Sequence, residues 1–128
     1  MTVTNLRQVA LHVDDLDRAV AFYRDVVGLR LIARFDPPGL AFFDLGGTRL
    51  LLEPGAPSSL LYLGVDDVAG ATERLRSAGV TIESEPHVIH VDETAQFGPA
   101  GEAEEMSFFR DSESNLVALA GRRAIASG

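Results

Sequence analysis

The sequence predicts an α+β protein made of two tandem βαβββ modules. Two stretches that lie 52 residues apart, V-A-L-H-V-D-D-L at 9–16 and L-Y-L-G-V-D-D-V at 61–68, share an alternating apolar pattern followed by a pair of aspartates. A helical apolar pattern follows each pair and stops at a glycine, Gly28 in the first copy and Gly79 in the second. The same order of strand, N-cap, helix and terminal glycine indicates a duplicated unit.

Length and composition exclude several classes of protein. The chain has 128 residues, of which 46% are hydrophobic, enough for the core of one domain. All eleven cationic side chains are arginine, and 19 acidic residues give a net charge of −8, which disfavours nucleic-acid partners. The absence of cysteine excludes disulfides and thiolate metal sites. No apolar run reaches the roughly 18 residues of a membrane span, and no signal peptide is recognisable, so we expect a cytoplasmic protein without a membrane partner.

The first module is predicted to span about residues 1–53. Its first strand ends before Asp14 and Asp15, either of which can cap the helix that runs to Gly28. Turn signals at 36–39 (D-P-P-G) and 46–47 (G-G) separate the segments that follow. Three strands are predicted there: about Arg30–Phe35, Leu40–Leu45 and Thr48–Glu53.

A linker at 54–59, rich in proline, glycine and serine, precedes the second module at about 60–121 and a short tail at 122–128. Asp66 or Asp67 is predicted to cap its helix. Its last strand matches that of the first module at an offset of 67, so about fifteen residues are inserted between His90 and Glu104 and are predicted to form a long loop. The strands predicted in this module after the helix are about Thr81–His90, Glu104–Arg110 and Asn115–Ala120.

This arrangement resembles the vicinal oxygen chelate superfamily, which includes glyoxalase I, methylmalonyl-CoA epimerase, extradiol dioxygenases and bleomycin-resistance proteins. The segments that carry the resemblance are D-L-D-R-A-V-A-F-Y-R-D-V-V-G-L at 15–29 and F-F-R-D-S-E-S-N-L-V-A-L at 108–119. The resemblance implies a glyoxalase-like fold, in which the modules form a curled mixed sheet around a cavity for a small molecule. It also implies a homodimer, because members of the superfamily often are.

The resemblance further implies four positions for metal ligands, one on the first and one on the last strand of each module. They fall on Gln8, Leu51, Leu60 and Ala118. Only Gln8 has a side chain that can coordinate a metal, since the other three are aliphatic. We therefore expect the usual metal site to be lost and no cofactor to be bound, with a divalent metal (Ni, Zn, Mn or Fe) as the alternative.

Other polar residues form a candidate catalytic set. If Gln8 faces the cavity, strand alternation places His12 on the same face, and Glu53 lies on the face of Leu51. We interpret His87 as the candidate general base and Glu53 as its alternative, with Glu105 as a further carboxylate. His90 has the opposite parity to His87 and is expected to be exposed.

Three aromatic residues, a histidine and an arginine are candidates for ligand contact. Phe43, Tyr62 and Phe109 can line an apolar cup, and His12 and Arg110 can bind polar groups of the ligand. The inserted segment is acidic, which is typical of a solvated loop, and a lid or rim that attracts a cationic ligand is the alternative.

Three functions fit these observations. The first is a metal-free protein of the bleomycin-resistance type that binds a small molecule in the cup. The second is a metal-dependent lyase, epimerase or dioxygenase with a shifted site at Gln8, Glu53 and His87. The third is an interaction module whose cavity is vestigial, which would then be filled by its own side chains.

Overall fold

The computed structural model describes residues 1–125 and divides them into two compact units. Unit 1 holds residues 1–59 and 112–115, and unit 2 holds residues 60–111 and the chain from 116 onward. The helices are α1 (Leu16–Ala21), which continues as a π-helical segment (Phe22–Val27), and α2 (Val68–Ser77). The strands are β1 (Gln8–His12), β2 (Arg30–Phe35), β3 (Leu40–Leu45), β4 (Thr48–Glu53), β5 (Leu61–Gly64), β6 (Ile82–Asp92), β7 (Glu102–Arg110) and β8 (Leu116–Ala124).

Each unit contains one four-stranded mixed sheet, in the order β1-β4-β3-β2 in unit 1 and β5-β8-β7-β6 in unit 2. The first strand of each sheet pairs in parallel with the last, and the remaining pairs are antiparallel. This repeated topology confirms the predicted α+β fold of two βαβββ modules.

One face of each sheet forms the core against its helix. In unit 1 the alternate residues Leu50 and Leu52 of β4 and Phe43 of β3 have no exposed surface, and Tyr23 of the π-helical segment is equally buried. In unit 2 the hydroxyl of Thr72 on α2 lies 2.7 Å from that of Ser107 on β7, and both residues are buried. The period of two leaves the opposite face of each sheet available for other contacts.

The helix boundaries follow the sequence signals. The carboxylates of Asp15 and Asp67 accept the backbone N–H of Arg18 and of Gly70, which settles the choice within each aspartate pair. The π-helical segment ends at Gly28, whose φ of 88° lies in the left-handed region that favours glycine.

Strand boundaries in the second module differ from the prediction. Strands β6 and β7 extend to Asp92 and back to Glu102, so the loop between them is residues 93–101. The last strand runs to Ala124 instead of Ala120, because Arg122 and Arg123 continue the ladder with β7. Part of the predicted tail is therefore strand, and its last residues, 126–128, lie outside the described chain. None of the helices in residues 1–125 is long and apolar enough to cross a membrane.

The turn at 112–115 belongs to unit 1, where the Glu113 side chain is fully buried. Its carboxylate accepts the backbone N–H groups of Asp14 and Asp15, both at 2.8 Å, and two hydrogen bonds from Arg18 at 2.7 and 3.0 Å. The Ser112 hydroxyl donates a further bond at 3.0 Å. Five hydrogen bonds to this buried carboxylate hold the turn at 112–115 against the start of α1.

Candidate ligand-binding cavity

Unit 2 contains an open cavity of about 720 Å³ on the face of its sheet that does not pack on α2. A cavity of this size can hold a drug-sized molecule. It is lined by Tyr62, Gly64, Ile89, His90, Gln96, Phe97, Glu104, Met106, Ala120, Gly121 and Arg122.

Strand register explains why distant residues share this face. Glu104 of β7 lies opposite His90 of β6 on one side and Arg122 of β8 on the other. Next along, Met106 pairs with Ala120, and Ala120 pairs with Gly64. Registered neighbours point to the same side of a sheet, so one face collects the polar and the apolar lining groups.

Aromatic side chains dominate the exposed part of the cavity. Tyr62 is 56% exposed and Phe97 is 75% exposed, and the ring of His90 meets that of Phe97 edge to face at 6.2 Å. Ligand binding would remove this surface from water and place planar groups beside the rings.

Two charged residues of the lining, Glu104 and Arg122, belong to an acidic cluster beside the cavity. Arg122 donates to Asp92 at 3.0 Å and to Glu102 at 3.1 Å, and its Nη1 lies 3.7 Å from Glu104. Three carboxylates surround one guanidinium, so the cluster retains negative charge. Glu104 is the carboxylate that lines the cavity, and its contact with Arg122 is the longest of the three.

Gly121 shapes the floor of the cavity. A Cβ at this position would lie 2.5 Å from the carbonyl oxygen of Val65, closer than real Cβ contacts come. Because that neighbour is backbone, Gly121→Ala should reduce the free energy of unfolding by about 1–3 kcal/mol in urea denaturation. Gly64→Ala is the matched control, since nothing lies within 4 Å of its Cβ position. Equal stability of the two variants would contradict this account.

Among the site residues predicted in the second module, only Tyr62 lines the cavity. Phe109 is 1% exposed and lies on the core side of β7. Arg110 donates from Nε to Glu83 at 3.0 Å. His87 is exposed, and its Nδ1 lies 2.8 Å from the carbonyl oxygen of Glu85.

Sequence parity does not separate His87 from His90. Strand β6 pairs His87 with Met106 and His90 with Glu104, so both histidines lie opposite cavity-lining residues of β7, and of the two it is His90 that lines the cavity. The register of β6 against β7 shifts between Ser84 and His87 and again between Val88 and His90. Each shift interrupts strict alternation, so parity counted along the sequence does not give the face of a residue. The ladder between β7 and β8 has no such shift, so alternation holds there: Glu104 lines the cavity, and Glu105 lies on the other face and accepts from Arg123 at 3.3 Å.

In unit 1, Gln8, His12 and Glu53 lie on one face as predicted, since Gln8 pairs with Arg49 and His12 with Glu53. The side chain of His12 bonds to Asp14 at 2.8 Å, which raises the pKa of the imidazole. Phe43 has no exposed surface and packs on Tyr23, so in this conformation it contacts no ligand.

The predicted metal position in unit 1 does not fit a metal ion. The Oε1 atom of Gln8 already accepts a hydrogen bond from Nε of Arg49 at 2.9 Å, which brings a fixed positive charge to the ligand atom. Leu51, the second metal-ligand position that the resemblance implies in this module, has an aliphatic side chain that cannot coordinate a metal. Within residues 1–125, no three His, Asp or Glu side chains form a group that could hold a metal.

Several lining residues were missed by sequence reasoning. Gln96 and Phe97 lie in the loop, and Arg122 falls in the segment predicted as a tail. The alternation E-A-E-E-M-S-F-F at 102–109 carries the signal for Glu104 and Met106, but both of its faces mix acidic and apolar residues. Burial on α2 decides between the two faces.

Two four-stranded sheets, each from one βαβββ module, define the glyoxalase-like class of proteins. The chain belongs to the Glyoxalase/Bleomycin resistance protein/Dioxygenase superfamily, whose family model matches residues 5–119. The lactoylglutathione lyase of Haemophilus influenzae is 33% identical in an alignment 95 residues long, which covers 59% of this chain and 70% of the relative.

Solved structures show the same fold. A lactoylglutathione lyase from Agrobacterium tumefaciens superposes with a TM-score of 0.74 at 25% identity, over 94% of this chain and 96% of that one. TnmS3, an antibiotic-binding protein from Streptomyces sp. CB03234, superposes with a TM-score of 0.69 at 23% identity, over 96% and 99% of the two chains.

Proposed function

We propose that this protein binds a small organic molecule in the cavity of unit 2 without the help of a metal ion. The observation that carries the proposal is the cavity of about 720 Å³ with exposed Tyr62 and Phe97 on its wall. An aromatic surface left open to water gains free energy when a ligand covers it. The fold shared with an antibiotic-binding protein supports this class of function.

The ligand is expected to combine an aromatic or apolar body with a positive charge. Glu104 supplies a carboxylate on the wall, and the chain as a whole carries a net charge of −8. A site with an excess of one charge attracts the opposite charge and repels its own.

Two fluorescent dyes test this proposal. Thioflavin T, a cationic aromatic dye, should bind the protein, and anilinonaphthalene sulfonate, an anionic one, should bind more weakly. Glu104→Gln should weaken thioflavin T binding by about three- to tenfold at low ionic strength. Glu105→Gln is the matched control, because this carboxylate lies on the other face of β7. Equal loss in both variants, or preference for the anionic dye, would contradict the proposed ligand class.

The alternative is a metal-dependent lyase, epimerase or dioxygenase of the same superfamily. The similarity to two lactoylglutathione lyases favours it. Elemental analysis of protein purified without a polyhistidine tag distinguishes the two functions, followed by thermal melts with Ni²⁺, Zn²⁺, Mn²⁺ and Fe²⁺. About one tightly bound metal per chain with clear stabilisation would overturn the metal-free proposal.

We also propose that the protein is a cytoplasmic homodimer. Members of the superfamily are often homodimers, and a chain without cysteine needs no oxidising compartment for disulfides. Light scattering coupled to size exclusion measures the mass in solution.

A further inference from the structure

The loop 93–101 carries two residues of the cavity wall, Gln96 and Phe97. Its base is closed by the backbone N–H of Gly101, which donates to the carbonyl of Asp92 at 2.9 Å. Phe97 keeps three quarters of its surface exposed, so burial contributes little to its position. Polar contacts must therefore hold the loop in place.

Asp92, at the end of β6, provides the first set of contacts. Its Oδ1 accepts the backbone N–H of Gln96 and its Oδ2 that of Phe97, both at 2.9 Å. The side chain is 1% exposed, so water does not compete for these bonds.

Arg122, on the neighbouring part of β8, provides the second set. Its Nη2 donates to Asp92 Oδ2 at 3.0 Å and to the carbonyl of Pro99 at 3.2 Å, and its Nε donates to Glu102 at 3.1 Å. One planar group thereby joins the two strand ends that flank the loop and also binds the Pro99 carbonyl within it.

Gly98 lets the loop lie directly against the guanidinium. A Cβ on Gly98 would lie 2.8 Å from Nε and 2.9 Å from Cζ of Arg122. Both atoms are held by the bonds to Asp92 and Glu102, so a larger residue at this position would displace the loop.

We infer that Arg122 is a positioning residue for ligand binding. Its hydrogen bonds hold the loop 93–101 against the sheet, so that Phe97 stays at the cavity wall. The inference rests on the proposed function where it concerns the ligand. Strand β8 holds the loop in place through Arg122, and Arg122 affects the ligand through the position of Phe97.

Hydrogen exchange of the ligand-free protein tests whether Arg122 holds the loop 93–101 in place. The amides of Gln96 and Phe97 should exchange slowly in the wild type and at least about tenfold faster in Arg122→Gln, because the loop then opens more often. Gly98→Ala should give the same acceleration while leaving the arginine in place. Arg123→Gln is the matched control, since Arg123 bonds to Glu105 and not to the loop.

Thioflavin T binding tests the consequence for the ligand. Gly98→Ala should lose about as much affinity as Phe97→Ala, up to roughly tenfold for one aromatic contact. Arg122→Gln should lose less, because it also removes a positive charge from the cavity wall. Phe97→Ala should leave the exchange of the Gln96 amide slow, which separates loss of the aromatic contact from release of the loop. Arg122→Lys should restore little, because one ammonium cannot reproduce the three-way contact.

Each outcome decides one part of the inference. Unchanged exchange rates of the Gln96 and Phe97 amides in both Arg122→Gln and Gly98→Ala would show that Arg122 does not hold the loop. Faster exchange with unchanged dye affinity would overturn the role in ligand binding. If thioflavin T does not bind the wild type, the ligand part fails together with the proposed function, and exchange still decides whether Arg122 holds the loop.

Discussion

Replacing Glu113 by alanine is expected to lower the free energy of unfolding by about 3 kcal/mol. The variant removes the one acceptor that serves the N–H groups of Asp14 and Asp15 and the guanidinium of Arg18. These backbone donors directly precede α1, so the loss of their acceptor also weakens the start of the helix. Glu113→Gln should be nearly as unstable, because its amide would place a donor against donors.

Urea denaturation measures this loss, and the melting temperature should fall by roughly 10 °C. Asp25→Ala is the control, since Asp25 forms an exposed pair with Arg24 whose loss should leave the melting temperature nearly unchanged. A melt of the Glu113 variant that coincides with the wild type would contradict this role of Glu113.

The same carboxylate makes stability depend on acid pH. Burial by itself would raise the pKa of Glu113, but the hydrogen bonds from Arg18, Asp15, Ser112 and Asp14 outweigh it and lower the pKa to about 2. A lowered pKa in the folded state contributes stability that is complete above about pH 4.5, the ordinary value, and is lost as the pH falls toward 2. The Glu113→Gln variant should therefore show a flatter pH dependence than the wild type in this window.

Replacing Asp92 by alanine is expected to lower the melting temperature by about 5–10 °C and to release the loop 93–101. The carboxylate serves two backbone N–H groups and Arg122 with almost no exposure. Its removal leaves these donors without their acceptor in a site that water reaches poorly. Limited proteolysis within the loop and a thermal melt measure the two effects.

Glu93→Ala is the matched control for Asp92, because Glu93 is the next residue and is exposed. The N–H groups of Phe97 and Gln96, followed by Arg122, lower the pKa of Asp92 to about 2. The loop should therefore stay resistant from pH 7 down to about pH 4 and lose resistance as the pH falls toward 2. Equal resistance of the two variants at neutral pH would contradict the role given to Asp92.

Much of the fold was predictable because local signals agree with one another. The three strands after the helix of the first module have the predicted boundaries, and each helix is capped by one of its two predicted aspartates. Caps, glycines and alternating apolar residues act over a few positions, so the sequence alone shows them. The duplication indicated that the same series of elements occurs twice.

The second module was predicted less well, for reasons that lie outside local sequence. Strand β8 reaches Ala124 because its last residues pair with the start of β7, a contact between positions about twenty residues apart. The register shifts in β6 place both His87 and His90 opposite cavity-lining residues of β7, whereas their parity in the sequence predicts opposite faces. Neither a pairing partner nor a register shift is visible in the pattern of a single strand.

The sequence by itself determined the two modules, their elements and the family to which the chain is similar. Tertiary structure decided the site: it placed Glu104, Phe97 and Arg122 on one cavity, Phe109 in the core, and Gln8 against Arg49. The physical reason is that backbone propensities and caps are local properties, whereas the face that a side chain occupies depends on the register between strands. Burial of one face against a helix then selects which residues remain open to a ligand.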